Sequence, residues 1–231
     1  MNNIKSKINC FECPKKNTCL KYLTDTEIED IQKNLVQIKF KKGEIISKQS
    51  SFITHIMYIR EGIAKVYKET NSQNNLILDI TPHDNLIGLT SLFNDNIAQF
   101  TVTALQDTFI CAFDKKLIEN IVLENKLFSK KIINLLNSES RLFFDKVVSL
   151  TQKQMNGRVA DALICLSERI FNSLCFDMIL SRKDLAEYTG MSTMSIVRTI
   201  QKLKKEGIIN DEKGKTEILK MDVLKQISKN G

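Results

Sequence analysis

Between Ser181 and Gly207 the sequence holds two helix starts and two helix stops in strict succession. Ser181, with Asp184 three residues on, has the side chains to satisfy the unpaired N–H groups of a first helical turn. Gly190 supplies a left-handed stop, and Ser192 at once opens a second helix that Gly207 closes. Two short helices joined through 190–192 have the layout of a helix-turn-helix. Ile208-Ile209, then Glu212-Lys213-Gly214-Lys215, then Ile218-Leu219 read as a hairpin of the kind called a wing. Upstream, Val159, Ala162, Leu163, Leu166 and Ile170 give the stretch from Gly157 to Ile170 the single apolar face of a helix.

The rest of the 231 residues has a different grain. From Val36 to Phe113 the apolar residues come in short alternating runs. They are broken by Gly43, by Gly62, by the polar stretch Asn71 to Asn75 and by Pro82-His83-Asp84, which predicts a small β barrel or sandwich. A short helix precedes it, capped at Thr24 with Glu27 three residues on and carrying Ile28, Ile31 and Leu35 on one face. After Asp114, a good N-cap, the period changes. Ile133, Leu136, Ser140, Phe143, Val147 and Leu150 recur at steps of three and four, the seam of a helix that pairs with another helix. Such a stripe could also pack on its own β domain, but that domain would cover only part of it, which favours a dimer. The expected class is α+β, in four parts: a cysteine-bearing arm (1–21), a β-rich domain expected to be sensory (22–126), a dimerisation helix (127–151) and a winged helix-turn-helix (152–231).

An apolar content of 42% with only 8 Gly and 2 Pro belongs to a folded chain. No run reaches the ~18 apolar residues of a membrane span. Lys5 and Lys7 have no apolar core behind them, so the N-terminus does not read as a signal peptide. A cytoplasmic protein without membrane partners is expected, its 6 Cys being thiols or metal ligands rather than disulfides.

The net charge of +7 is concentrated at the two ends, and the middle is near neutral. In a helix-turn-helix the first residues of the second helix face base edges in the major groove. Here those are Thr193, Met194, Ser195 and, one turn on, Arg198, with Ser192 as cap. Ile196, Ile200 and Leu203 fit the buried face. Arg182 and Lys183 open the first helix, and Lys202, Lys204 and Lys205 lie further along the second, where phosphates would be. Alone, Arg198 would be an ordinary surface residue. In this motif it has the geometry to donate twice to guanine O6 and N7.

The stretch LSRKDLAEYTGMSTMSIVRTIQKLKKEGII, Leu180 to Ile209, resembles the helix-turn-helix of the CRP/FNR regulator family. Lys42-Gly43-Glu44-Ile45-Ile46 and Tyr58-Ile59-Arg60-Glu61-Gly62 echo the family's β-roll, 127–151 its dimerisation helix, and Gly157-Arg158-Val159-Ala160 its hinge. The resemblance covers nearly the whole chain. It implies a cyclic-nucleotide-binding-like jelly roll, a homodimer on a palindromic double-stranded operator, and RNA polymerase as partner. Two departures qualify it. Members that bind cyclic AMP use a Gly-Glu pair and a later Arg-Ser pair. Aligned on Gly88, this chain has Leu89 at the Glu, and Gln99 and Phe100 at the Arg-Ser, which leaves no cation there and argues against cyclic AMP. Met194 replaces the Glu that reads cytosine in most members.

Cys10-x2-Cys13-x5-Cys19 sits in the arm and Cys111 on a predicted strand. Thiolates on short loops can converge on one metal. By spacing alone zinc serves as well as iron, a thiol or disulfide switch is open, and so is no role at all. The three-plus-one arrangement is similar to that of the oxygen-sensing FNR branch, whose four cysteines hold a 4Fe–4S cluster. That resemblance implies a redox-responsive regulator, against control by zinc, a thiol switch or an unknown β-roll ligand. Cys165 and Cys175 flank an apolar helix and are expected to be small core residues. An enzyme is not expected: His55 and His83 have no acid or nucleophile at telling distance, and no Gly-rich phosphate loop exists. A pure interaction module would leave 181–220 without a purpose.

Overall fold

A computed structural model describes residues 2–3, 9–13, 20–70, 75–94, 96–212 and 214–231. Cys19 and Lys213 lie outside the described residues. The chain divides into two compact units, one of Met1–Lys68 with Ile80–Arg141, the other of Glu69–Asp79 with Leu142–Gly231.

In the first unit Asn2–Asn3 (β1) adds to the edge of a five-stranded sheet, and α1 (Asp25–Asn34) follows. Thr24 accepts from the Glu27 N–H at 3.3 Å and Glu27 accepts from the Thr24 N–H at 2.7 Å, the reciprocal cap expected there. Ile28, Ile31 and Leu35 are buried, as their spacing requires. The strands are β2 (Val36–Phe40), β3 (Ile45–Ser47), β4 (His55–Glu61), β5 (Ile63–Lys68), β6 (Leu76–Pro82), β7 (Asn85–Ile87), β8 (Thr101–Ala104) and β9 (Thr108–Asp114). They form two sheets, ordered β1-β2-β9-β4-β7 and β3-β8-β5-β6. The predicted β-roll is present. Gly62 between β4 and β5 is obligatory: its φ is +100°, and a Cβ there would stand 2.7 Å from the Thr108 Cα. Asp114 ends β9 and caps α2 (Lys115–Glu124), accepting from the Leu117 N–H at 2.9 Å. Helix α3 (Lys126–Gln152) then begins, with Phe128 and Ile132 in the core beside Ile28, Ile31 and Ile118.

The second unit contains the rest of α3, then α4 (Met155–Ile164), a π-helical segment (Cys165–Phe171), β10 (Cys175–Asp177), α5 (Arg182–Thr189), α6 (Thr193–Lys205), β11 (Ile209–Glu212), β12 (Lys215–Ile218) and α7 (Met221–Asn230). Three expectations are corrected. The Gly157–Ile170 helix is α-helical only as far as Ile164 and continues as π turns. The wing is a three-stranded sheet ordered β10-β12-β11, because Cys175, Phe176 and Asp177 pair with Glu217, Thr216 and Lys215. Cys165 and Cys175 are not core residues: Cys165 is half-buried and Cys175 is exposed, since Phe176 is the one strand residue of the three that turns inward.

The second unit buries a cation. The ammonium of Lys146, on α3, stands 3.0 Å from the centre of the Tyr188 ring and donates to the Tyr188 carbonyl. Around it are Cys165, Asp79, Asp161 and Arg169, the last ion-paired with Asp79. Burial pushes the Lys146 pKa down to about 7, although Cys165, Asp79 and Asp161 oppose the fall. In the unfolded chain the group titrates near 10.5. Between those values the unfolded state binds the extra proton, so this lysine lets stability rise with pH from about 7 toward 10. Lys146→Met should flatten that rise, whose slope for one proton is about 1.4 kcal/mol for each pH unit. Urea unfolding of both proteins at pH 7 and pH 9 measures it.

Candidate nucleic-acid interface and cysteine cavity

Helix α5 ends where Gly190 takes a left-handed φ of +63°, and a Cβ at that point would lie 3.0 Å from Leu150 Cδ2. Ser192 opens α6 by accepting from the Ser195 N–H at 3.1 Å, and the two hydroxyls stand 2.9 Å apart. Ile196, Ile200 and Leu203 are buried as expected, with Thr199 between them. This rotation leaves Thr193, Met194, Arg198 and Lys202 exposed, Met194 by 62% of its surface. Ser195 is half-buried, its hydroxyl engaged by Ser192. Gln201 and Lys205 are exposed on the same face. Gln201 is an addition to the expected set, although its place seven residues after Met194 and three after Arg198 puts it there by helical period.

The other expected cations are not equivalent. Arg182 is ion-paired with Asp211 of β11, and Lys204 with Glu212 at 3.0 Å. Lys183 stands 3.8 Å from the buried Glu187. Only part of the basic charge of this domain is therefore directed outward.

In the first unit Cys10, Cys13 and Cys111 line one small cavity with Leu20, Gln37, Tyr58, Arg60 and Phe113. The Cys10 N–H donates to Gln32 Oε1 at 2.6 Å, and the Cys13 N–H to the Cys10 carbonyl at 3.4 Å, so the two residues share a turn. Cys111 reaches the cavity from β9, held between Gln37 of β2 and Tyr58 of β4. Burial, and then the neighbouring Cys13, pushes the Cys10 thiol up to about 11. Burial, followed by Cys10 and Cys13, raises Cys111 to about 12 against the opposing charge of Arg60. Arg60 lies over the Phe109 ring, 5.1 Å from its centre. Among the described residues no group of three or more His, Cys, Asp or Glu is arranged to hold a metal ion.

At the sites that departed from the nucleotide-binding pattern, Leu89 is buried in the core and contributes no carboxylate. A cation does stand near Gln99 and Phe100, contrary to the sequence reading. Lys68 donates to the Gln99 carbonyl at 2.8 Å and lies 5.5 Å from the centre of the Phe100 ring. His83 sits in the turn after β6, paired with Asp84 at 3.0 Å.

On α3, Ile133, Phe143 and Val147 are exposed, while Leu136 and Leu150 are half-buried in their own chain. Phe144 and Val148, exposed by 65% and 51%, extend the outward stripe beyond the residues that periodicity alone picks out. No described helix is long and apolar enough to cross a membrane.

A β-roll leading through a long helix to a winged helix-turn-helix defines a class, the two-part DNA-binding regulators. The cyclic nucleotide-binding domain family matches residues 37–125, and the Crp-like helix-turn-helix domain family matches 157–227. The chain is 21% identical over 217 residues to "Transcriptional activator protein FnrA" of Stutzerimonas stutzeri, covering 91% of this chain and 88% of that one. It is 22% identical over 217 residues to "Transcriptional activator protein anr" of Pseudomonas aeruginosa, with the same coverage. The solved structure of FixK2 from Bradyrhizobium japonicum has the same fold, with a TM-score of 0.77 at 18% identity over 84% of this chain and 96% of that chain. The chain belongs to the CRP/FNR family of transcription regulators.

Proposed function

We propose that this regulator is redox-responsive, through a 4Fe–4S cluster held by Cys10, Cys13, Cys19 and Cys111, and that it does not depend on cyclic AMP. The observation that carries the reading is the meeting of Cys10, Cys13 and Cys111 on one cavity, from an arm and from a strand about a hundred residues apart in sequence. The thiol chemistry suits the group, and the three described cysteines line one cavity without forming a ligand set there. Three sulfurs share apolar walls, a single guanidinium faces them, and the high thiol pKa values mean that the sulfurs keep their protons until a metal displaces them. When bound, the cluster supplies iron–thiolate bonds that oxygen can break. The buried Leu89 at the position of the nucleotide-binding Glu supports independence from cyclic AMP. Protein purified without air, or reconstituted with iron and sulfide, should show broad thiolate-to-iron absorption that bleaches in air. Ser at any one of the four positions should abolish it. Colourless protein would overturn the cluster, and stoichiometric zinc would replace it with a zinc site.

The proposed output is operator binding by a homodimer that contacts RNA polymerase. The seam is the outward stripe of α3, with Ile133, Phe143 and Val147 joined by Phe144 and Val148, and with Leu136 and Leu150 at its margin. A carboxylate at the centre of such a seam is an unpaired buried charge, worth several kcal/mol. Phe144→Glu should therefore run as a monomer in light scattering and bind its operator weakly. A variant as dimeric as the parent places the seam elsewhere.

Base reading is assigned to the face of Met194, Arg198 and Gln201, flanked by Ser192, Thr193, Ser195 and Lys202. Met194 has no acceptor for a cytosine amino group, and its thioether suits a thymine methyl. Arg198 suits guanine, at about 1–3 kcal/mol of discrimination. The operator should be a palindrome, A·T-rich, with one guanine per half-site. In selection from random duplexes, Met194→Glu should change one symmetric pair of positions and Arg198→Ala should relax the guanine. An unchanged motif for Met194→Glu would remove residue 194 from the groove.

A further inference from the structure

Arg182 has the position of a phosphate contact but not the freedom of one. One guanidinium nitrogen, Nη2, is bound to Asp211 Oδ2, and the other, Nη1, is buried with no partner. The Asp211 side chain is only 10% exposed, and its second oxygen accepts from the hydroxyl of the fully buried Thr216 at 2.9 Å. If Arg182 swung out to a phosphate, it would leave that carboxylate enclosed with a single hydroxyl for company.

The pair also spans a gap. Between the start of α5 and the wing lies a cleft of about 310 Å³, bordered by Leu180, Ser181, Arg182, Asp211, Glu212 and Gly214. The Arg182–Asp211 ion pair joins the two walls of this cleft. A second tie comes from α6, where Lys204 reaches Glu212 at 3.0 Å and the Asp211 carbonyl at 3.3 Å. The wing held by these ties carries Lys215, which is exposed.

We propose that Arg182 is a positioning residue: it latches β11 to the start of α5 and so sets the wing, and Lys215 on that wing meets the DNA backbone in its place. A free cation that neutralises a phosphate adds about one ion per contact to the salt dependence of binding, whereas a latch adds none of its own and acts only through the contact that it positions. Two residues that act through one element are also non-additive, even without touching.

The test uses the full chain on a selected operator duplex, with affinity measured against salt for Arg182→Ala, Arg182→Lys, Lys215→Ala and the Arg182→Ala/Lys215→Ala pair. Arg182→Ala should weaken binding about tenfold, within the usual range for a lost buried pair, and should lower the salt slope by the one ion that Lys215 supplies and no more; Arg182→Lys should recover part of both losses. Lys215→Ala should lower the slope by about one ion per subunit in the parent and change nothing further once Arg182 is gone. Asp211→Asn should also weaken binding, although it removes a negative charge near DNA. The proposal is overturned if Arg182→Ala leaves the slope unchanged, if the pair lowers it by two ions so that the two losses add, or if Asp211→Asn binds as well as the parent or better. Urea midpoints of the same variants accompany the titrations. Loss of affinity that appears only in variants unfolded at the assay temperature would also overturn it, by assigning Arg182 to the fold alone.

Discussion

The second unit depends on how the last carbonyls of α5 are satisfied. A helix leaves its final four C=O groups without partners and carries a partial negative charge at that end. Here the last helical residue, Thr189, is buried, although Gly190 beyond it is exposed. Two cations meet the helix end: Lys146 from α3 binds the Tyr188 carbonyl, and Arg158 from α4 lies 3.5 Å from the Thr189 carbonyl. Leu150 fills the space that Gly190 leaves by lacking a side chain. Two helices, α3 and α4, thus converge on one turn, and the direction of α6 follows from it. An apolar residue in place of Lys146 would leave a buried acceptor unpaired, which explains why so costly a cation is kept at this point.

Much of this was legible in sequence because it rests on local chemistry. The caps at Thr24, Asp114, Ser181 and Ser192 each close through a hydrogen bond within three residues, so residue type and spacing suffice to find them. The alternation that betrays the β-roll is equally local. What escaped was decided at long range. β10 exists because Cys175 to Asp177 find the free edge of β12 some forty residues later, and three residues carry no periodicity of their own. Cys175 follows an apolar helix and so looks like a core residue, but strand alternation turns Phe176 in and Cys175 out. The π segment gave no warning either, since its apolar Leu166 and Ile170 are four apart, a spacing that fits an α-helical turn as well as a π turn.

The candidate sites divide in the same way. The buried and exposed faces of α6 are a matter of helical period, and the structure keeps them. That Cys111 meets Cys10 and Cys13 required the pairing of β9 with β2 and β4, which spacing cannot show. It entered the sequence reading only through resemblance. Lys68 is the converse case. Gln99 and Phe100 do lack the expected cation in sequence, yet the fold brings one alongside from β5 and occupies it with a backbone carbonyl.

Charge in the DNA-binding half is organised by pairing more than by amount. Asp211, Glu212 and Glu187 would each oppose a phosphate backbone, and each has its own cation, in Arg182, Lys204 and Lys183. Those lysines and that arginine add nothing to the outward field beyond cancelling a neighbour. The cations left over include Arg198, Lys202 and Lys205 on α6 and Lys215 on the wing. Met194 fits this arrangement: where the family's usual Glu would set a carboxylate among them, a thioether leaves the positive edge of α6 uninterrupted. Under the base-reading assignment proposed above, recognition through such a face would lean on backbone attraction and on the shape of A·T-rich DNA, with Arg198 as its main donor to a base.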